Sequence, residues 1–473
     1  MSPMVYRKKT VQLSINSFET ALGCPLSADN EWVQLANQLP WSEWDEVYQL
    51  AFPSNLGRAG KPFRQLYGAQ LIKQRTGLSD REVVDAIRDT PAYQYFLGFS
   101  EYQPVRPFDH VTLVYFRKRI APISDQILNI MAKYTGKLLN EALPDKRVVI
   151  TDATAFPVNV AYPQDTHLLN GTRLKLEADI KLMSNQLKLA PPRTRKREAK
   201  KQWVAFSRHP HRWGKQTHKQ IKAQLQYIRR DLRFVDELLA QGGQLSERRL
   251  KVLSTVRKVY EQQDYMYRNH THHVSDRIVS LTQPEIRPIV RGKAKQPVEF
   301  GPKVDLSITD GVVNIERFSF DSFNESTDFA STIDHYKDVH GVYPDEVLAD
   351  TLYRTRANIK LCKDLGIKLS GPKLGRRPKH VDPAKRREEQ DAENRRGEIE
   401  REFSLIKSKL GLGLVTAKTA ETIAVTVDTG VVLANLKRVL SFFCVPISIF
   451  VEMDGVKLQI DYKMINRLSN LVA

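Results

Sequence analysis

Asp152 directly follows the run VVIT at 148–151, Asp350 follows VLA at 347–349, and Glu400 lies in a long charged stretch. Short β-branched, apolar runs of this kind read as strands buried on both faces. Strands that end on aspartate present carboxylates where open α/β sheets gather their active sites. Three converging carboxylates repel one another unless divalent cations neutralise them, and hard oxygen donors suit magnesium or manganese. A pair of such ions about 4 Å apart activates an attacking oxygen and stabilises a leaving one during in-line displacement at a phosphate. Neither aspartate is diagnostic alone, because strand-ending Asp also caps helices and closes turns.

The elements that must position these acids are legible in outline. A strand over 148–151 runs into Asp152, and 156–162 reads as a second strand. Beyond about residue 172 strand patterning stops, and Ile221, Leu225, Ile228, Leu232, Val235 and Leu238 recur at helical spacing, so a helical insertion is expected over 172–294. Strands resume at 304–309 and 312–318, joined by Asp310-Gly311 as a hairpin turn. A strand before Asp350, a helix through Ile359 and Leu365, a short strand at 367–369, a polar linker from 371 to 395 and a helix carrying Glu400 complete the core. The expected catalytic unit is mixed α/β, over 145–171 and 295–445, with a C-terminal extension over 446–473.

The N-terminal part, 1–125, reads as all-helical. Phe63, Leu66, Tyr67 and Leu71 share a face, Gly77 ends that helix, and Ser79 with Glu82 forms a capping box opening the next. A third helix, capped by Asp109, ends in Arg117, Lys118 and Arg119. Short helices with a basic end suit a helix-turn-helix-like DNA-binding module; a helical bundle with a solvated basic face fits the same segment equally well.

The 473 residues are too many for one core and predict two or three domains. The net charge of +19 points to a polyanionic partner, nucleic acid before anionic membrane. Arg195, Lys196 and Arg197 lie in a segment, 193–222, crowded with Lys and Arg and holding Trp203 and Trp213, which suits DNA backbone contact or a solvated face. Lys293 and Lys303 flank the strand that re-enters the core and are further candidates for phosphate contact. The apolar run 439–451, interrupted by Ser441 and Pro446, is shorter than the roughly 20 residues a bilayer needs. No apolar stretch follows the basic N-terminus, so no signal peptide is expected. Cys24, Cys362 and Cys444 are scattered and odd in number, which fits buried or inert thiols better than a disulfide framework or thiolate metal site.

TDATAFPVNVAYPQDTHLLN around Asp152, VLADTLYRTRAN around Asp350 and RRGEIEREFSLIKSKLGLG around Glu400 closely resemble the three acidic motifs of bacterial insertion-sequence DDE transposases. In those enzymes an arginine, three residues, the glutamate, six residues and a lysine form a signature, matched here by Arg396, Glu400 and Lys407. One departure is visible: Glu393 stands where a tyrosine is usual. FRQLYGAQLIKQRTGLSDREVVDAIRDTPAYQYFLGF with FRKRI resembles the N-terminal helical domain of one subgroup, and IRPIVRGKAKQPVEFGPKVDLSITDG its re-entry into the catalytic sheet.

The resemblance implies an RNase H-like core with the helical insertion between the first and second acids. It implies Mg2+ or Mn2+, two ions per site, held by Asp152, Asp350 and Glu400, with Arg396 and Lys407 supporting the DNA phosphates or the metal site. The implied substrates are double-stranded element ends and target DNA, processed by a homodimer in a synaptic complex in the bacterial cytoplasm, at the nucleoid when DNA-bound. Two other readings stay open: a catalytically inactive, transposase-derived DNA-binding protein, and a nuclease without strand transfer.

Overall fold

The computed structural model of the chain describes residues 4–6, 15, 18, 20, 23–52, 57–140, 147–161, 164–209, 214–290, 298–371, 374–375, 383–443, 446–453 and 456–463. Its centre is a five-stranded mixed sheet. In chain order the strands are β1 (Val148–Ala155), β2 (Lys303–Thr309), β3 (Val312–Ser319), β4 (Glu346–Ala349) and β5 (Lys368–Leu369), and their spatial order is β3-β2-β1-β4-β5. β1, β4 and β5 are parallel, while β2 and β3 form an antiparallel hairpin against β1. The hairpin turns on Asp310 and Gly311, both with positive φ (49° and 85°), as its Asp-Gly sequence requires. β1 is central because it is apolar on both faces: Ile150 joins the large core on one side, and Val149 joins the smaller core with Val347 and Ala349 on the other.

Thirteen helices matter to the argument. The N-terminal part contributes α1 (Trp41–Leu50), α2 (Phe63–Thr76), α3 (Asp80–Asp89), α4 (Val111–Ile120) and α5 (Ser124–Asn140). Gly77 closes α2 in the left-handed conformation, and the Ser79–Glu82 capping box opens α3. Asp109 accepts from the Val111 N–H (2.8 Å) at the start of α4. Between β1 and β2 lie α6 (Asp165–Gln186), α7 (Lys196–Arg208), α8 (Gly214–Ala240) and α9 (Glu247–Arg268). Leu225, Ile228, Leu232, Val235 and Leu238 of α8 are buried there in a core of their own with Leu176, Ile180 and Val256. The remaining helices are α10 (Phe329–His340), α11 (Arg356–Leu365), α12 (Pro383–Lys409) and α13 (Ala420–Phe443). Residues of α2, α4, α5, α12, α13 and the sheet share one continuous apolar cluster, so the N-terminal helices rest directly on the sheet and the C-terminal helices beside it. Strands Pro446–Met453 and Val456–Lys463 pair separately as an antiparallel hairpin.

Two sequence expectations need correction. Residues 156–161 are not a strand: β1 ends at Ala155, and Pro157, which lacks an N–H, interrupts the ladder. The segment is instead tied by single bonds, Phe156 N–H to the Pro302 carbonyl (3.0 Å), Val158 N–H to Phe300 (2.8 Å) and Val415 N–H to Pro157 (2.7 Å). The supposed linker 371–395 is helical from Pro383 onward. Its Glu, Gln, Ala, Lys and Arg residues are strong helix formers, and proline is favoured at a first helical position. Cys24 is exposed and Cys362 buried; Cys444 lies outside the described residues. Among the described residues no helix is long and apolar enough to cross a membrane.

The helical segment between β1 and β2 also holds a pH-dependent element. Asp231 of α8 is fully buried, with one carboxylate oxygen lacking a hydrogen-bond partner, and burial pushes its pKa up to about 7 despite Arg230 at 3.2 Å. The folded state therefore keeps a proton that the unfolded chain releases near pH 4, so stability falls as pH rises from about 4 to about 7 and is level above that. Asp231→Asn is expected to flatten this dependence and to stabilise the protein at pH 8 by a few kcal/mol, at roughly 1.4 per pKa unit. Urea midpoints of both proteins at pH 5 and pH 8 test it; a variant less stable than wild type at pH 8 would show that the ionised carboxylate is held favourably.

Candidate active site

β1 and β4 run parallel in register, with Thr151 opposite Ala349, so the next residue on each strand is an aspartate: Asp152 and Asp350. Asp350 caps a single 3-10 turn, Thr351–Tyr353, accepting from the Thr351 N–H (2.6 Å) and hydroxyl (3.1 Å). α12 lies over this pair. It is laid on the core by Ala392, Ile399, Phe403 and Ile406, a stripe at helical spacing, and tied to the sheet along its length, first by Glu388 to Lys368 of β5. Arg395 bonds Glu346 at the start of β4, and Lys407 Nζ donates to the Thr154 hydroxyl of β1 (2.8 Å).

Between Arg395 and Lys407, Arg396 links the acids. Its guanidinium contacts Glu400 (3.1 Å) and Glu393 (2.6 Å) on its own helix and approaches Asp152 to 3.9 Å. Glu393, the departure from the usual tyrosine, is thus the residue that grips Arg396, and this bond is the main reason the guanidinium is held more firmly protonated than usual. Asp152, by contrast, is pushed up to about 6, by burial first and then by the charges of Glu325 and Asp350, against the opposing Ala153 N–H and Arg396.

A carboxyl so crowded by other acids has the chemistry of a hard-cation ligand, and Asp350 beside it is a second donor of the same kind. Glu400 is turned toward Arg396 with its side chain 60% exposed, and among the described residues no three acids, histidines or cysteines stand close enough together to hold an ion. The structure thus brings Asp152 and Asp350 together directly and Glu400 only through Arg396.

Sequence reasoning overlooked two acids here. Glu325, in a 3-10 turn after β3, makes an ion pair with Lys303 (2.7 Å) and raises the pKa of Asp152. Asp305 of β2 is fully buried beneath the site, accepting from Thr151 Oγ1 and Tyr353 OH (both 3.2 Å), with its Oδ2 unpartnered. Burial and Glu316 push Asp305 up to about 7. Tyr353 closes the turn that begins at Asp350, so this bond ties that turn to β2. The available signal was an aspartate between Val304 and Leu306 in the strand VDLSI, an arrangement costly in a buried strand unless hydrogen-bonded.

The basic candidates separate by burial. Lys303 is buried, bonded to Glu325 and to the Phe323 carbonyl (2.8 Å). Arg117 is also buried, paired with Asp80 (2.5 Å) and Gln70 (3.1 Å), and Arg119 lies over the Phe52 ring. Lys118 faces solvent, as do Arg195, Lys196 and Arg197 at the start of α7. Lys293 and Trp213 lie outside the described residues.

Two family models match parts of the chain. The Transposase DDE domain family matches residues 347–437, which contain Asp350, Arg396, Glu400 and Lys407 but not Asp152. A second family, Transposase domain (DUF772), matches residues 21–119, the N-terminal helices. The chain is 32% identical over 155 residues to the uncharacterized protein ORF8 in the nfe locus of Rhizobium meliloti, covering 32% of this chain and 73% of that one. No solved structure matches. With a transposase family on its N-terminal helices and another on the sheet and helix that carry two of the three acids, the chain belongs to the insertion-sequence DDE transposases.

Proposed function

We propose that the protein binds the ends of an insertion sequence, cleaves them and joins the freed ends to target DNA, acting through Asp152, Asp350 and Glu400 on an RNase H-like core. The observation that carries this reading is the register of β1 and β4, which sets Asp152 beside Asp350 under the helix bearing Arg396, Glu400 and Lys407. A central mixed sheet flanked by helices, with the helical insertion following β1, supports the RNase H-like assignment.

Asp152 and Asp350 would hold magnesium or manganese, with the exposed Glu400, now paired with Arg396, as the third carboxylate that would complete the set. Two divalent ions supply Lewis acidity at both the attacking and leaving oxygens of a phosphodiester. Arg396, released from Glu400 but still gripped by Glu393, binds a phosphate oxygen beside Asp152. Lys407, oriented by the Thr154 hydroxyl, neutralises a neighbouring phosphate. In the first step water attacks the phosphodiester and the 3′-oxygen leaves; in the second that 3′-hydroxyl attacks a target phosphodiester, whose own 3′-oxygen leaves. Synapsis of two ends calls for a homodimer.

Purified protein incubated with end-labelled element-terminal duplex, target plasmid and Mg2+ tests this reading, with cleavage and joining scored separately. Both products are expected. Cleavage without joining would make it a nuclease, and binding without cleavage an inactive DNA-binding relic.

A further inference from the structure

A cleft of about 990 Å³ opens between the N-terminal helices and the catalytic half. One wall is the end of α2 and the start of α3, with Lys118 of α4; the other is the end of α12 and the loop leading to α13. The walls are held together by Gln74, whose amide donates to the carbonyls of Leu410 (3.3 Å) and Thr426 (2.8 Å). Gly411 of the loop permits this close approach, since a Cβ there would lie 2.9 Å from the Gln74 carbonyl oxygen; Gly413 lets the loop fold tightly back on α12, where a Cβ would lie 2.7 Å from the Lys407 carbonyl oxygen. The cleft is therefore a built seam rather than a gap between loosely joined parts.

Its charge is one-sided. Among the described residues lining it, basic side chains outnumber acidic ones seven to two. Of the two acids, Asp80 is engaged by Arg117 and Lys73 (2.5 and 3.1 Å), and Glu82 is committed to the capping box with Ser79. The exposed Lys118, Lys409 and Lys418 leave a positive surplus facing solvent, and Leu414, 54% exposed, adds an apolar surface among them. At one end the cleft reaches Lys407, whose ammonium contacts Thr154, two residues from Asp152.

We infer that this cleft holds the sugar-phosphate backbone of one DNA strand where it leaves the active site, running from Lys407 past Lys409 and Lys418 to Lys118. The inference rests on the reading of the chain as a DNA-cleaving enzyme. About 990 Å³ is room for a few nucleotides of one strand. Lysines grip phosphates without regard to sequence, and Leu414 offers a surface for a sugar or base face. The N-terminal helices thereby contribute to strand handling at the catalytic centre, through Lys118 rather than through the buried Arg117.

The test uses the full-length protein and a labelled 20-nucleotide single strand, with dissociation constants measured from 50 to 300 mM salt. Lys118→Ala/Lys409→Ala should reduce the slope of log affinity against log salt by about 1.4, roughly 0.7 per lost phosphate contact, and weaken binding about 25-fold at 0.1 M salt. Lys118→Arg/Lys409→Arg should restore both, and Lys251→Ala, on the remote α9, should change neither. Equal thermal midpoints establish that the variants fold. A double alanine variant with wild-type slope and affinity overturns the cleft assignment. If that variant also retains wild-type cleavage and joining, the transposase reading stands without it; if wild-type protein fails to cut element ends, that reading falls independently of the cleft.

Discussion

Asp152→Asn is expected to reduce DNA cleavage by a thousandfold or more while leaving affinity for an element-end duplex within about twofold. On the proposed reading, an amide keeps the shape of the side chain and removes the charge that would hold a divalent cation, which would cost several kcal/mol of transition-state stabilisation at about 1.4 kcal/mol per factor of ten. The same substitution should raise the melting temperature in metal-free buffer. Asp152 is buried beside Glu325 and Asp350, and Arg396 at 3.9 Å offsets that repulsion only in part. Loss of activity with a gain in stability is the signature of a residue retained for chemistry. Cleavage assays and thermal melting in EDTA, run on one preparation, check both halves. A variant that loses activity and melts lower would make Asp152 a structural residue, and one that cleaves normally would remove it from the site.

Features encoded locally were legible from the residues alone. The Ser79–Glu82 capping box, the Gly77 stop, the Asp310-Gly311 hairpin turn and the stripe from Leu225 to Leu238 each depend on side chains a few positions apart, and each is found as read. What failed depended on partners distant in sequence. Residues 156–161 are extended and apolar, yet their bonds go to 300–302 and 415 through single contacts that no alternation pattern encodes. The charge-rich stretch from 383 onward looked like a linker because its polar residues hide good helix propensity, and its docking on the sheet uses Arg395 reaching Glu346.

For the site, the two aspartates were marked by the strands that precede them, whereas Glu325 sits in a turn with no pattern around it. The inward course of Arg117 and Lys303 was equally hidden. Each is a basic residue whose acid, Asp80 or Glu325, lies 37 or 22 positions away, as their numbering shows. Charge composition predicts a basic surface, but only packing decides which cations compose it.

That dependence on close packing gives the second large expected effect, at Gly301. This residue precedes Pro302 and β2 and lies against the chain just after β1. A Cβ added here would stand 2.0 Å from the Phe156 carbonyl oxygen and 3.2 Å from the Val158 nitrogen, both backbone atoms that no side-chain rotation can relieve. The two segments would have to separate, and the bonds on either side of Gly301, from Phe156 N–H to Pro302 and from Val158 N–H to Phe300, would lengthen or break. Each is worth about 1 kcal/mol net, and forced overpacking typically adds 1–3 kcal/mol. Gly301→Ala is therefore expected to destabilise the protein by about 3 kcal/mol or more.

The control is Gly366→Ala at the end of α11, where φ is 72° but nothing lies within 4 Å of the added carbon. Only the left-handed backbone penalty applies there, about 1 kcal/mol. The consequence at Gly301 extends to the site. Phe156, whose ring lies 5.7 Å from the Lys407 ammonium, continues directly from the strand that carries Asp152. Displacing it should disturb Lys407 and lower cleavage even at temperatures where the variant remains folded. Urea midpoints of the two glycine variants, with cleavage measured well below the melting transition, decide the matter. If Gly301→Ala costs no more than Gly366→Ala, the contact with Phe156 does not constrain the fold, and the link from this glycine to the active site is lost with it.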